Sequence, residues 1–198
     1  MSSVTLIDSP VSNAANIARA LRAAGAELHV TSRPEEIAAA PKLVLPGVGS
    51  FRAAMEWLTT NRIDDAIRAA VALGIPLLGI CVGHQALFDS SDEMGSTPGL
   101  GLLRGVVRRL MPVLPVPQIG WNRIRIRPGV LFDGIPDRTS FYFVHSYAVG
   151  ESSDSVAMAD YGAPFTAAIQ RDNVFGVQFH PEKSSTAGLR VLANFVNS

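Results

Sequence analysis

Pro76-Leu77-Leu78-Gly79-Ile80-Cys81-Val82-Gly83-His84-Gln85 runs from an apolar strand pattern, through the only cysteine of the chain, into the start of a helix. Glycines stand two residues before and two after Cys81. That spacing fits a sharp strand-to-helix turn, which lifts the central side chain to the edge of a sheet with the next helix beginning beneath it. A helix N-terminus there carries positive potential and favours a thiolate. The same residues also suit a buried, inert thiol, as most isolated cysteines are.

Outward from this stretch, the first half alternates short apolar runs with helical spacing. Val4 to Ile7, Leu28 to Val30, Lys42 to Leu45 and Pro76 to Ile80 read as strands. Asn13 is placed to cap a helix over Ile17, Leu21 and Ala24 that Gly25 stops. Ser50 is placed to cap another through Leu58, and a third spans Ile63 to Leu73, ending at Gly74. Strands alternating with helices predict an α/β domain with a central, mainly parallel sheet and helices on both faces.

The second half is richer in strands: Val106–Leu110, Asn122–Ile126, Ser140–His145, Ser155–Ala159, Phe165–Ile169 and Val174–Phe179. A final helix is expected from Thr186 to Val196, and the proline-rich Met111–Pro117 reads as a surface loop. The mixed sheet that results belongs to one domain over residues 1–198, with no internal repeat. Lys plus Arg equals Asp plus Glu at 17 each. Nothing in that balance calls for nucleic acid or an anionic membrane as partner. No apolar run reaches the roughly 20 residues of a membrane helix. A single cysteine suits a reducing cytoplasm, the expected location.

A cysteine nucleophile needs a base. Among His29, His84, His145 and His180, His180 ends a strand and is followed by Pro181-Glu182. Pro181 biases His180 to an extended backbone, on which side chains two apart point the same way, so Glu182 can reach the imidazole. Taken alone, this pair reads equally well as a strand-end histidine beside a surface glutamate. Joined to an elbow cysteine, it predicts a Cys81–His180–Glu182 triad. His29, in a short strand without polar company, reads as structural.

Pro46-Gly47-Val48-Gly49 can turn backbone N–H groups towards a ligand and, with the Val82 N–H, serve a developing oxyanion. By itself it reads more simply as a turn capped by Ser50. A metal site is disfavoured, because Cys81 and His84 offer C-x-x-H without a clustered donor set. The alternating Arg123-Ile124-Arg125-Ile126-Arg127 is expected to be a half-buried strand with one solvated face, the alternative being contact with a partner or an anion.

Together these segments resemble the class I (triad) glutamine amidotransferases, a flavodoxin-like fold, over nearly the whole chain. Pro46–Phe51 resembles the family's oxyanion strand and Gly79–Gly83 its nucleophile elbow. Gly99-Leu100-Gly101-Leu102, Tyr142–Tyr147 and Gly176–Ser185 resemble further family segments. Ile119-Gly120-Trp121-Asn122 and the His-Pro-Glu-Lys-Ser-Ser ending are similar to the glutaminase subunits of imidazole glycerol phosphate synthase in histidine biosynthesis.

The resemblance implies that Cys81 attacks the carboxamide of L-glutamine, His180 moves the proton and Glu182 orients His180. It implies Gly47, Val48, Gly49 and Val82 around the oxyanion, and Gln85 with the backbone of Ser146 and Tyr147 around the substrate. Asn13 would steady the Pro46–Gly49 loop. Asn13, Tyr142 and Lys183 would face the partner, a (β/α)8 cyclase subunit that receives ammonia. No cofactor and no metal are implied. Two positions depart from the pattern: His84 stands where the family usually has Met, and Ser9-Pro10-Val11-Ser12 replaces a Tyr- and Gly-containing stretch. Glutaminase subunits for anthranilate or aminodeoxychorismate synthesis, and a non-catalytic domain on the same scaffold, are the alternatives.

Overall fold

Four apolar strands buried along nearly their whole length organise the molecule. The computed structural model describes residues 2–9, 13–111 and 113–198. In order they form β1 (Ser2–Ile7), α1 (Ala14–Ala23), β2 (Ala26–Thr31), α2 (Pro34–Ala38), β3 (Leu43–Leu45), α3 (Phe51–Thr60) and α4 (Ile63–Ala72). There follow β4 (Leu77–Ile80), α5 (Val82–Ala86), β5 (Ser90–Ser91), β6 (Thr97–Pro98), β7 (Val106–Arg109) and β8 (Gln118–Ile126). The chain then forms β9 (Ser140–His145), β10 (Tyr147–Val149), β11 (Ser155–Asp160), β12 (Pro164–Arg171), β13 (Val174–Val177) and α6 (Ser185–Asn197). The described residues form a nine-stranded mixed sheet in the order β2-β1-β3-β4-β13-β12-β11-β8-β9. Its first five strands are parallel and the rest antiparallel.

The apolar runs divide between two faces. Val4, Leu6, Val44, Leu78 and Ile80 pack with Ile17 and Leu21 of α1 and with Val191, Leu192 and Phe195 of α6. Ile7, Leu43, Leu45 and Leu77 pack with Ile37 of α2, with Phe51, Met55 and Leu58 of α3, and with Ile63 and Ile67 of α4. A strand covered on both sides needs no polar face, which is why these segments read as continuous apolar runs.

The antiparallel half curls back on the parallel half. Past the end of β13 the His180 N–H donates to the Tyr142 carbonyl of β9 at 2.9 Å, and Phe179 stacks on Phe141 with centroids 4.2 Å apart. This closure carries the last strand of the sheet over the end of β4, where Cys81 sits.

Several expectations need correction. Asn13 stands at the N-cap position of α1 but makes no side-chain capping bond. Ser50 does cap α3, accepting from the Ala53 N–H at 3.3 Å. Helix α2 went unforeseen, because five residues opened by Pro34 are too few for a helical period to register. It supplies Glu36, whose carboxylate lies 2.9 Å from the ring of exposed His29, so that histidine does have polar company. Pro10–Ser12 and, within the expected Met111–Pro117 loop, Pro112 lie outside the described residues. Among the described residues no helix is long and apolar enough to cross a membrane.

Candidate active site

Cys81 adopts φ 54° and ψ −110°, a backbone conformation that an L-residue enters only under constraint. The constraint is close packing around it. A Cβ on Gly79 would meet the Gly83 carbonyl at 2.6 Å, one on Gly83 would overlap the Leu45 carbonyl, and one on Gly47 would meet the Gly83 nitrogen at 2.7 Å. All three glycines are needed for approach and not for a left-handed turn. The Cys81 N–H stays in register, donating to the Val177 carbonyl at 2.9 Å, while the side chain leaves the sheet.

The Cys81 sulfur is 3.9 Å from the Val144 carbonyl of β9 and 3.8 Å from Gln178 Nε2. It forms part of the wall of a cavity of about 290 Å³ that also meets Val48, Gly49, Gln85, Glu93 and His180. The Cys81 side chain lies close enough to the His180 ring to act on its charge, and the ring's Nδ1 is 2.9 Å from Glu182 Oε1. The route differs from the expected one. His180 itself is extended, but Pro181–Lys183 turn as a 3-10 segment, which swings Glu182 back under the ring. Asn13 Nδ2 reaches the same Glu182 oxygen at 3.4 Å, and Asn13 Oδ1 accepts from Asn16.

Other expected residues take these places. Val82, Ser146, Tyr147 and Lys183 border the cavity, while Gly47 does not and instead lines a smaller space with Leu45 and Gly83. The Gln85 amide donates to the Tyr147 carbonyl at 2.8 Å and to Gln178 Oε1 at 3.0 Å, so its N–H groups are committed to the wall. The Ser146 carbonyl accepts from the Leu110 N–H. The Val82 N–H donates to the Gly47 carbonyl at 3.3 Å and does not face the cavity as a free donor, contrary to the sequence expectation. Tyr142 carries the Lys183 ammonium over its ring at 5.8 Å and meets Trp121 edge-on at 6.0 Å.

The glutamine amidotransferase class-I family model matches residues 5–198. The imidazole glycerol phosphate synthase subunit HisH of Moorella thermoacetica is 48% identical, over 98% of this chain and 94% of that protein. The corresponding subunit of Caulobacter vibrioides is 44% identical, over 99% of this chain and 98% of that protein. The chain belongs to the HisH group of class I glutamine amidotransferases. In fold it is similar to PurLQS from Thermotoga maritima, with a TM-score of 0.80 at 18% identity, covering 100% of this chain and 99% of that one.

In this amidotransferase the electrostatics separate the three buried histidines. Burial presses His180 downwards, but its hydrogen bonds to Cys81 and then Glu182 outweigh that and raise it to about 10. Burial holds His145 at about 4 against the opposing bond to the Tyr147 carbonyl, and His180 adds to the lowering. His84 is held at about 3 by burial and then by His145. Only His180 is set to carry a proton at neutral pH, and it is the one beside a carboxylate and a thiol.

Two residues were missed. Gln178 is fully buried and lies two positions before His180, just past β13, which ends at Val177 and not at Phe179 as expected; the alternation expected of that strand is the signal that pointed to it. Glu93 borders the cavity and accepts the Phe51 N–H at 2.7 Å. It arrives on an irregular loop, where no periodicity announces it.

Proposed function

We propose that this chain hydrolyses L-glutamine to glutamate and ammonia and passes the ammonia to a (β/α)8 cyclase subunit, as the glutaminase half of imidazole glycerol phosphate synthase in histidine biosynthesis. The observation that carries the reading is an imidazole hydrogen-bonded to a carboxylate and set beside the only thiol, at the wall of one cavity. Attack of the Cys81 thiolate on the carboxamide carbon forms a tetrahedral intermediate. His180, protonated at neutral pH, gives its proton to the leaving ammonia, and a thioester remains. The neutral imidazole then takes a proton from water, which attacks the thioester and releases glutamate. Glu182 keeps the ring oriented and stabilises its cationic form.

Glu93 is the carboxylate at the cavity wall, and it suits the ammonium of the substrate. The backbone of Ser146 and Tyr147 would hold the opposite charge. The Val82 N–H is spent on Gly47, so the oxyanion needs the Gly47 peptide to turn away before this donor is free. A partner pressing on the same end of the sheet, through Asn13, Tyr142 and Lys183, can supply that turn. Free ammonia protonates in water and stops being a nucleophile, which is the physical reason for a sheltered, cytoplasmic two-subunit arrangement.

The test is ammonia release from glutamine by the chain alone and with the cyclase. Slow release alone, a large rise with the cyclase, and none from Cys81→Ala are expected. Full activity alone, or an active Cys81→Ala protein, overturns the proposal.

A further inference from the structure

Ser184 is fully buried, immediately after the turn that brings Glu182 under His180. Its hydroxyl donates to the His180 carbonyl at 2.7 Å and accepts the Tyr142 N–H at 2.9 Å. The His180 N–H in turn donates to the Tyr142 carbonyl at 2.9 Å. The two backbones are thus tied in a closed ring of three hydrogen bonds, one side of which exists only because residue 184 has a hydroxyl. A hydroxyl has a single proton, so donating to His180 while accepting from Tyr142 commits its one donor and one of its two lone pairs and fixes its rotation.

Strand β9 matters here for a second reason: its Val144 carbonyl is the group next to the Cys81 sulfur. One strand therefore touches the thiol and, through Ser184, grips the backbone of the base. We infer that Ser184 is a positioning residue, whose hydroxyl locks His180 to β9 and so sets the imidazole against the Cys81 sulfur. The inference rests on the triad reading above. It also gives β9 a mechanical role. Tyr142 points its ring to the Trp121 and Lys183 side while its peptide holds His180, so a load on that outer face reaches the base through two hydrogen-bonded peptides and one hydroxyl.

The experiment compares Ser184→Ala and Ser184→Thr with the unaltered full chain, each in the presence of the cyclase. It reads kcat and KM for glutamine, and the His180 ring titration by NMR, with a His180→Asn protein to assign the signal. Ser184→Ala is expected to lose about tenfold or more in kcat with KM within about twofold, because the base is misplaced while the substrate site is intact. Its His180 midpoint should fall from about 10 as the contact with Cys81 loosens. Ser184→Thr, which keeps the hydroxyl, should recover most of both. If the Ala variant does not fold, Ser184→Cys fills the space with a weaker hydrogen-bonding group and carries the same expectation. Unchanged kcat and an unchanged His180 midpoint overturn the inference whatever happens to the melting temperature, because a purely structural role moves only the latter. Activity surviving in Cys81→Ala sinks the triad reading instead, so the two failures are distinguishable.

Discussion

Replacing His84 with Met is expected to stabilise the protein, and by more in acid than at neutral pH. His84 has no exposed surface, and neither ring nitrogen has a partner among the described residues. A neutral imidazole still carries one N–H and one acceptor nitrogen, and leaving such groups dry costs about 1–3 kcal/mol. Burial and then His145 hold its pKa at about 3 in the fold, against the ordinary imidazole value of 6.5. Below 6.5 the unfolded chain takes up a proton that the folded site refuses. The stability belonging to neutral His84 is therefore complete above 6.5 and lost as pH falls towards 3, by about 1.4 kcal/mol per unit. At about pH 5 that loss is roughly 2 kcal/mol.

Methionine removes both costs. The ring occupies the place a Cβ on Gly176 would take and meets the edge of Phe88 at 5.2 Å, an irregular space that an unbranched thioether can fill at a cost of about 1 kcal/mol. The net gain is about 1 kcal/mol at neutral pH and about 3 kcal/mol at pH 5. Urea unfolding of both proteins across this range measures it. His145, held at about 4, is common to both and cancels. Parallel stability–pH curves, or a Met variant less stable at the acid end, would refute the reasoning.

Two further outcomes are expected. Glu93→Gln keeps an acceptor for the Phe51 N–H but loses the charge at the cavity, so KM for glutamine should rise about tenfold with kcat little changed in steady-state assays. Lys42→Met removes a buried ammonium that donates to the carbonyls of Phe195, Val196 and Ser198 at the end of α6. Urea unfolding should show a loss of about 2–3 kcal/mol, while KM stays the same.

Much of this site was legible because its signals are local. Gly79, Cys81 and Gly83 sit within five residues, and crowding against Leu45 and His84 gives a physical reason for each small residue. His180 and Glu182 are two apart, so their contact was foreseen even though the backbone between them turns where extension was expected. What stayed hidden depends on partners distant in the chain. Asn13 looks like a cap, yet its amide is drawn to Glu182, 169 residues away. Gln85 looks like a substrate ligand, yet its N–H groups are committed to Tyr147 and Gln178.

Apolar runs punctuated by glycine determined, with no tertiary information, an α/β sheet covered on two faces and the elbow that presents Cys81, since strand burial and steric crowding act over a few residues. Only the folded chain decided that the Val82 N–H is occupied by Gly47, that Glu93 enters the cavity, and that β9 returns to clasp His180 through Ser184. Each of these depends on which backbone group finds which partner across more than thirty residues of chain. Hydrogen bonds of that kind are assigned by the packing of the whole sheet, and no local pattern encodes them.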